Sequence, residues 1–267
     1  MDLGFSGASA AITGATMGMG RATAELLATE GAKVAVLARS REELDETVDV
    51  LLGLGAPDAV GIVTDVADPD LIGAAFAQID ERWGSLNALI NTVGPFAGTF
   101  EELTDADWES AFTLGTMSAV RCTRAALPLL RRAEWARIVN FAAHSIQRQS
   151  PRLVAYTASK SALASFSKNL AKSLGPEGIL VNTVSPGTIV TGSFTGTLRP
   201  ILEAEGLDSS DPYDVMSWIA KTYGHPCDLG RAGLPAEIAT ATAYLASRSN
   251  GYVTGANINV DGGSDFM

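Results

Sequence analysis

Tyr156 and Lys160 are the residues of this sequence whose types and spacing best suit chemistry. They stand at the head of a helical run, Leu153 to Leu174, and residues four apart on a helix share a face. An ammonium close to a phenol favours the phenolate, so Lys160 is expected to lower the tyrosine pKa. A phenol tuned in that way exchanges a proton with a carbonyl or alcohol oxygen near neutral pH. Tyr-x-x-x-Lys also arises by chance as a surface pair, so its weight depends on the segments around it.

Those segments supply a ligand-binding frame. Ala8 to Thr13 is a short apolar run that ends in Gly14-Ala15-Thr16-Met17-Gly18-Met19-Gly20, and Arg21 to Thr29 then reads as a helix. Strand, glycine turn and helix suit a pyrophosphate, because glycine admits the ligand to the backbone and the helix N-terminus offers free N–H groups. The glycine spacing is not the usual dinucleotide fingerprint, and an ordinary glycine-rich turn is the plain alternative. Lys33 to Ala38 is the second strand and ends in Arg39-Ser40-Arg41. A residue there faces an adenosine ribose; an acid would suit the 2′-hydroxyl of NAD, whereas the planar fork of Arg39 suits the 2′-phosphate of NADP. A solvated arginine is the bland reading.

Further strands read at Ala59 to Thr64, Leu86 to Ile90, Arg137 to Phe141, Ile179 to Val184 and Ile258 to Val260, alternating with helices. Asp65-Val66 follows the third strand, where the acid would meet an adenine amino group or cap the next helix. Asn91 is expected to tie neighbouring strands through both functions of its amide, and Gly94 to allow a ligand close approach. One long helix is expected from Thr104 towards Leu130, with Gly115 inside it. The polar helix Arg41 to Leu52 reads as a solvated face. Such alternation predicts a parallel sheet covered on both sides.

The bulk properties narrow the classes. The chain has 267 residues, 46% hydrophobic and 18% charged, enough for the core of one α/β domain. A net charge of −11 without a basic cluster argues against nucleic-acid binding. Cys122 and Cys227 lack metal-type spacing, so no metal is expected and a reduced, cytoplasmic protein fits best. No signal peptide and no stretch of the ~20 apolar residues a membrane helix needs is read.

Taken together, these motifs resemble the short-chain dehydrogenase/reductase family from about Gly7 to Gly263. The matching pieces are Thr13-Gly-x-x-x-Gly-x-Gly20, Asp65-Val66, Asn91-x-x-Gly94, Tyr156-x-x-x-Lys160, Asn182, Pro186-Gly187, Thr191, Gly255 and Asp261-Gly-Gly. The resemblance implies a single doubly wound Rossmann domain with a seven-stranded parallel sheet. Its cofactor half would span about residues 7–140, its catalytic helix 153–175 and an enlarged substrate lid 192–231. It implies a homotetramer and a nicotinamide cofactor, held by Gly14, Thr16, Met17, Gly18, Met19, Gly20, Arg39, Ser40, Asp65, Val66, Asn91, Gly94, Gly187, Ile189 and Thr191 together with Tyr156 and Lys160. Tyr156 would be the general acid in reduction and the base in oxidation, and Lys160 would hold the nicotinamide ribose.

Three positions depart from the family pattern. Its catalytic serine, thirteen positions before the tyrosine, is Ala143 here; its asparagine, seven after the helix tryptophan Trp108, is Gly115. The basic residue that NADP-dependent members often carry before the middle glycine is Met17. Loss of one oriented donor costs about 10²–10³ in rate in comparable sites. Ser145 is two residues on and would face the same side in extended chain, so Ser145 or His144 is a candidate substitute. Gly115 is expected to leave space for a water. Restoring serine at Ala143 is expected to raise reduction of simple ketones.

Gly192 to Arg231 is long for a connection, and two short helices read at Leu198 to Glu205 and Tyr213 to Tyr223. Phe194, Leu198, Ile201, Leu202, Tyr213, Val215, Met216, Trp218, Ile219 and Tyr223 make it apolar, as a substrate lid or as a subunit contact. Six acids against Arg199, Lys221 and Arg231 favour a neutral or cationic carbonyl compound. His225-Pro-Cys227 reads as a tight turn. The expected activity is NADP-dependent hydride transfer, in preference to NAD, between nicotinamide and a ketone or alcohol of medium size. A nucleotide-binding protein without redox activity, or a non-redox enzyme such as a dehydratase, is the alternative.

Overall fold

The computed structural model describes residues 2–264, with the backbone alone at 193–195. The side chain of Phe194, counted above with the lid, lies outside the described residues.

Seven strands form one sheet. They are β1 (Ser9–Thr13), β2 (Lys33–Ala38), β3 (Ala59–Val63), β4 (Ala88–Asn91), β5 (Ala136–Phe141), β6 (Ile179–Pro186) and β7 (Asn257–Val260). Their order is β3-β2-β1-β4-β5-β6-β7, and every neighbouring pair is parallel. Parallel strands need crossovers, and helices covering both faces bury the strands on each side. All five residues of β1 and all six of β5 are accordingly buried. The edge strand β7 stays partly exposed.

The crossover helices are α1 (Gly18–Thr29), α2 (Arg41–Gly53), α3 (Pro69–Trp83), α4 (Asp105–Phe112), α5 (Ser118–Arg132), α6 (Val154–Leu174) and α9 (Pro235–Ala246). Two more, α7 (Gly192–Ala204) and α8 (Pro212–Tyr223), stand between β6 and α9. Local chemistry sets several ends. Asp68 caps α3 through Asp70 N and Leu71 N, Pro69 opens it, and Gly84 closes it in the left-handed region. Thr104 and Asp107 form a reciprocal capping box on α4.

The long helix expected from Thr104 is interrupted. A π-helical turn, Thr113–Met117, separates α4 from α5, and Gly115 lies within it. Glycine is the residue least committed to α-helix there, and the turn leaves Thr116 Oγ1 free to donate to Ser159 O on α6 at 2.7 Å.

Apolar side chains pack in three groups. One, with Phe5, Leu27, Leu44 and Ile238, fills the side of α1 and α9; the second, with Ile72, Phe76, Leu129 and Val181, fills the side of α3, α5 and α6. The third belongs to the segment of α7 and α8, where Leu202, Val215, Met216, Trp218 and Ile219 bury one another. The chain runs from β1 out to β3 and then returns to β4 on the other side of β1. That reversal opens a crevice beyond the C-terminal ends of β1 and β4, the ligand position of open α/β sheets.

Candidate active site

The glycine stretch lies at the mouth of this crevice. Gly14 and Gly18 have φ of 68° and 57°, in the region that side chains disfavour. A Cβ on Gly20 would stand 2.5 Å from Gly14 O and 2.9 Å from Thr92 Oγ1, so no side chain fits. A Cβ on Gly18 would meet Thr191 Cγ2 at 3.4 Å, which sets the loop against the chain leaving β6. Helix α1 has no side-chain cap at Met17 and no acid in its first turn. Its N–H groups and positive dipole end are thus left for an anion. This cradle fits a pyrophosphate.

Across the crevice, α6 presents Tyr156 and Lys160. Lys160 is buried to 2% exposure. Its Nζ donates to Phe141 O at 2.6 Å and to Val93 O at 3.0 Å, bonding the ends of β5 and β4. Gly94 closes the other side: a Cβ there would lie 3.4 Å from Lys160 Cε and 3.8 Å from Tyr156 Cε2. Burial pulls the Lys160 ammonium down to about 7 and pushes the half-buried Tyr156 phenol up to about 12. The expectation of an acidified phenol is thereby corrected for the protein alone. The ammonium is engaged by two carbonyls, and desolvation is what raises the phenol.

The family model described as enoyl-(acyl carrier protein) reductase matches residues 14–265. The chain belongs to the short-chain dehydrogenase/reductase family. The short-chain reductase protein NovJ of Streptomyces niveus is 34% identical over 257 residues, covering 95% of this chain and 92% of that protein. The L-sorbose reductase of Gluconobacter frateurii, solved with NADPH and L-sorbose, superposes with a TM-score of 0.92 at 30% identity, with 100% of both chains covered. An actinorhodin polyketide ketoreductase variant solved with NADPH gives 0.86 at 30%, with 98% of each chain covered.

In this short-chain dehydrogenase/reductase, Ala143 ends the extended chain of β5 and is buried. The backbone then turns at once into a 3₁₀ turn, His144–Ile146. The alternation that would have aimed Ser145 beside Ala143 is therefore lost. Ser145 is 1% exposed and its Oγ accepts from Thr157 Oγ1 on α6 at 3.0 Å. Its hydroxyl ties this turn to α6. His144 turns its Nδ1 to Pro186 O at 3.1 Å, and a carbonyl only accepts, so that nitrogen carries the proton.

Gly115 offers no space for a water in place of an amide. A Cβ there would stand 2.3 Å from Ser159 Oγ and 3.4 Å from Pro95 Cδ. Ser159 Oγ donates to Tyr156 O, so the position beside the π-turn is filled by α6 itself.

The adenosine end is more open. Arg39 is exposed, and among the described residues no ion pair engages it. Ser40 caps α2 by accepting from Glu43 N. Glu43, read from sequence as part of a solvated face, accepts from Thr16 Oγ1 at 2.9 Å. Met17 is 53% exposed and Met19 half-buried. Asp65 accepts from Ala67 N in a local turn, and Asp68 takes the helix-cap role expected of Asp65. Val66 is buried in the second core.

Asn91 ties β4 to β5 through one function alone. Its Nδ2 donates to Asn140 Oδ1 at 2.8 Å, while its Oδ1 is buried without a hydrogen-bond partner among the described residues. At the end of β6, a Cβ on Gly187 would lie 2.7 Å from Asp261 Cα, and Ile189 bridges Gly233. Asn182 serves the fold, clasping Val253 O and Ala256 N. The tight turn expected at His225-Pro-Cys227 comes later, where Gly230 N bonds Cys227 O.

Three contributors escaped sequence reading. Val93 and Phe141 act through backbone carbonyls, which no side-chain pattern reports. Arg148 reaches the carbonyls that follow α8, and only the fold brings them together.

Proposed function

We propose that the protein is an NADP(H)-dependent oxidoreductase that interconverts a ketone and an alcohol on a largely apolar, medium-sized substrate. The observation that carries this reading is the meeting of Tyr156, Lys160 and Gly94 at one crevice with the glycine loop. The glycine loop and the open N-terminus of α1 would hold the pyrophosphate, Arg39 and Ser40 the adenosine phosphate, and Ile189 and Thr191 the nicotinamide end. Asp65, Val66 and Asn91 would line the base. When bound, the cofactor supplies or takes a hydride.

This chain's residues do the rest. Tyr156 Oη exchanges the proton with the substrate oxygen. Lys160 donates two bonds that lock α6 onto β4 and β5, and its ammonium favours the proton-poor form of any group that comes to share it. With Ala143 and Gly115, the family's four catalytic positions reduce to this pair, so positioning by the walls of the crevice carries more of the task. The NADPH-bound structures named above support NADP over NAD. A single domain, a homotetramer and a cytoplasmic setting belong to the same reading; no described helix is long and apolar enough to cross a membrane.

The test is NADPH oxidation against a panel of neutral ketones. Turnover is expected, and Tyr156→Phe should lower kcat by at least about 10²–10⁴, the scale of acid–base catalysis. Nucleotide binding without oxidation, unchanged by Tyr156→Phe, would instead mark a binding protein.

A further inference from the structure

We propose that Arg148 is a positioning residue: it latches the substrate lid to the turn that follows Ala143, and so sets the shape of the substrate site. Its guanidinium donates to three backbone carbonyls in two segments, the stretch that follows α8 and the C-terminal stretch. Nη1 bonds Pro226 O at 3.1 Å and also Ser264 O, and Nη2 bonds Gly224 O at 3.1 Å. Gly224 closes α8 in the left-handed region, so the cation lies at the negative end of the lid helix, where a planar fork is suited to several carbonyls.

A second contact repeats the connection. The Arg152 guanidinium lies 5.5 Å from the Tyr223 ring centroid, and Tyr223 meets the Trp218 ring edge-on at 5.4 Å. Trp218 is 5% exposed within the lid's own core. The same turn is fastened below. Gly98 N donates to Arg152 O at 2.9 Å, and Asn259 Nδ2 donates to Gln147 Oε1. One short turn thereby joins the exit of β4, the edge strand β7, the C-terminal segment and the last turn of the lid. It leads straight into α6 and Tyr156.

The lid, by contrast, has an apolar core separate from the two that cover the sheet. A body packed on itself takes its placement from its ties, and among the described residues Arg148 ties it through two carbonyls, Gly224 O and Pro226 O. The consequence for catalysis rests on the oxidoreductase reading above. With alanine at 143 no serine hydroxyl orients the substrate oxygen, so the lid's placement decides how a large carbonyl compound meets Tyr156.

The experiment uses the full chain with saturating NADPH and compares wild type, Arg148→Ala and Arg148→Lys. Hydrogen exchange of 212–224 is expected to quicken about tenfold in Arg148→Ala, and less in Arg148→Lys, which keeps the charge but not the fork. The KM ratio of a bulky to a small ketone should rise about fivefold or more, with the NADPH dissociation constant unchanged. Unaltered exchange in 212–224 would overturn the latch, as would a loss spread over the sheet with weakened NADPH binding. If the wild type reduces no ketone, the oxidoreductase reading falls while the exchange result still decides the latch.

Discussion

Between Thr13 and Gly20 the chain shapes a cradle with backbone, and between Gly192 and Arg231, the proposed lid, it builds an apolar core with side chains. The cradle's dimensions come from missing Cβ atoms: at Gly20 even a methyl group has no space. The lid's come from Leu202, Val215, Met216, Trp218 and Ile219, which exclude water from one another. A backbone cradle tolerates almost no change and serves a ligand part that never varies. A side-chain cover tolerates volume-conserving change and so is where a fold of this kind alters its substrate.

The sharpest way to break that contrast is Trp218→Ala. Removing a buried indole costs about 3–5 kcal/mol in a well-packed core. Because the lid core is separate, the loss should appear as faster hydrogen exchange in 192–224, with exchange in β1, β4 and β5 unchanged. A drop in global stability of that whole amount, seen in denaturant melts, would show that lid and sheet form one cooperative unit.

Lys160 lies beside the cradle, bonded to Val93 O and Phe141 O, and its burial gives a signed pH effect. Below pH 7 the amine is charged in the folded and the unfolded chain alike. Between about 7 and 10.5 the unfolded chain holds a proton that the folded chain has shed, so stability climbs with pH across that window. Above pH 10 Tyr156 acts oppositely, since the unfolded phenol ionises while the folded one stays protonated to about 12. Urea melts of the nucleotide-free protein should show wild type gaining roughly 2–4 kcal/mol on Lys160→Met between pH 6.5 and 9.5. A constant difference would mean that the amine stays charged throughout.

Much of the fold was legible because parallel strands buried on both faces leave apolar runs, and the sheet needed no more than that. Lys33–Ala38 and Pro69–Trp83 have the same limits in sequence and structure. What stayed hidden depends on backbone departures and distant partners. Ser145 looked aligned with Ala143 under a two-residue period, and one 3₁₀ turn cancelled it. Gly115 looked like vacant space, and Ser159 from another helix filled it. The Tyr156 pKa followed from burial, which a spacing of four residues does not encode.

Next in size is Gly20→Ala. The added methyl would press on Gly14 O, which cannot move without reshaping the cradle. Nucleotide affinity should fall about a hundredfold or more by calorimetry, equally for NADPH and NADH, because the pyrophosphate is common to both. An unequal loss would place the damage at the adenosine end instead.

The smallest effect belongs to Arg39, and it tests whether the cradle discriminates at all. Its guanidinium is exposed and, among the described residues, unpaired, so the folded protein loses no internal contact in Arg39→Ala. Nearby, Met17 brings no charge, and Glu43 on the Thr16 hydroxyl brings a negative one. Arg39 therefore has to offset that acid as well as meet a 2′-phosphate. One charge-assisted contact at an exposed site contributes about 1–2 kcal/mol, so NADPH should bind about tenfold more weakly while NADH changes less than twofold. Raising salt to about 0.5 M should shrink the difference, because the charges are open to solvent. Glu43→Gln should move the other way and tighten NADPH alone. Equal losses for both nucleotides in Arg39→Ala would show that the arginine serves the ribose or the strand end, and that the cradle reads only what the two cofactors share.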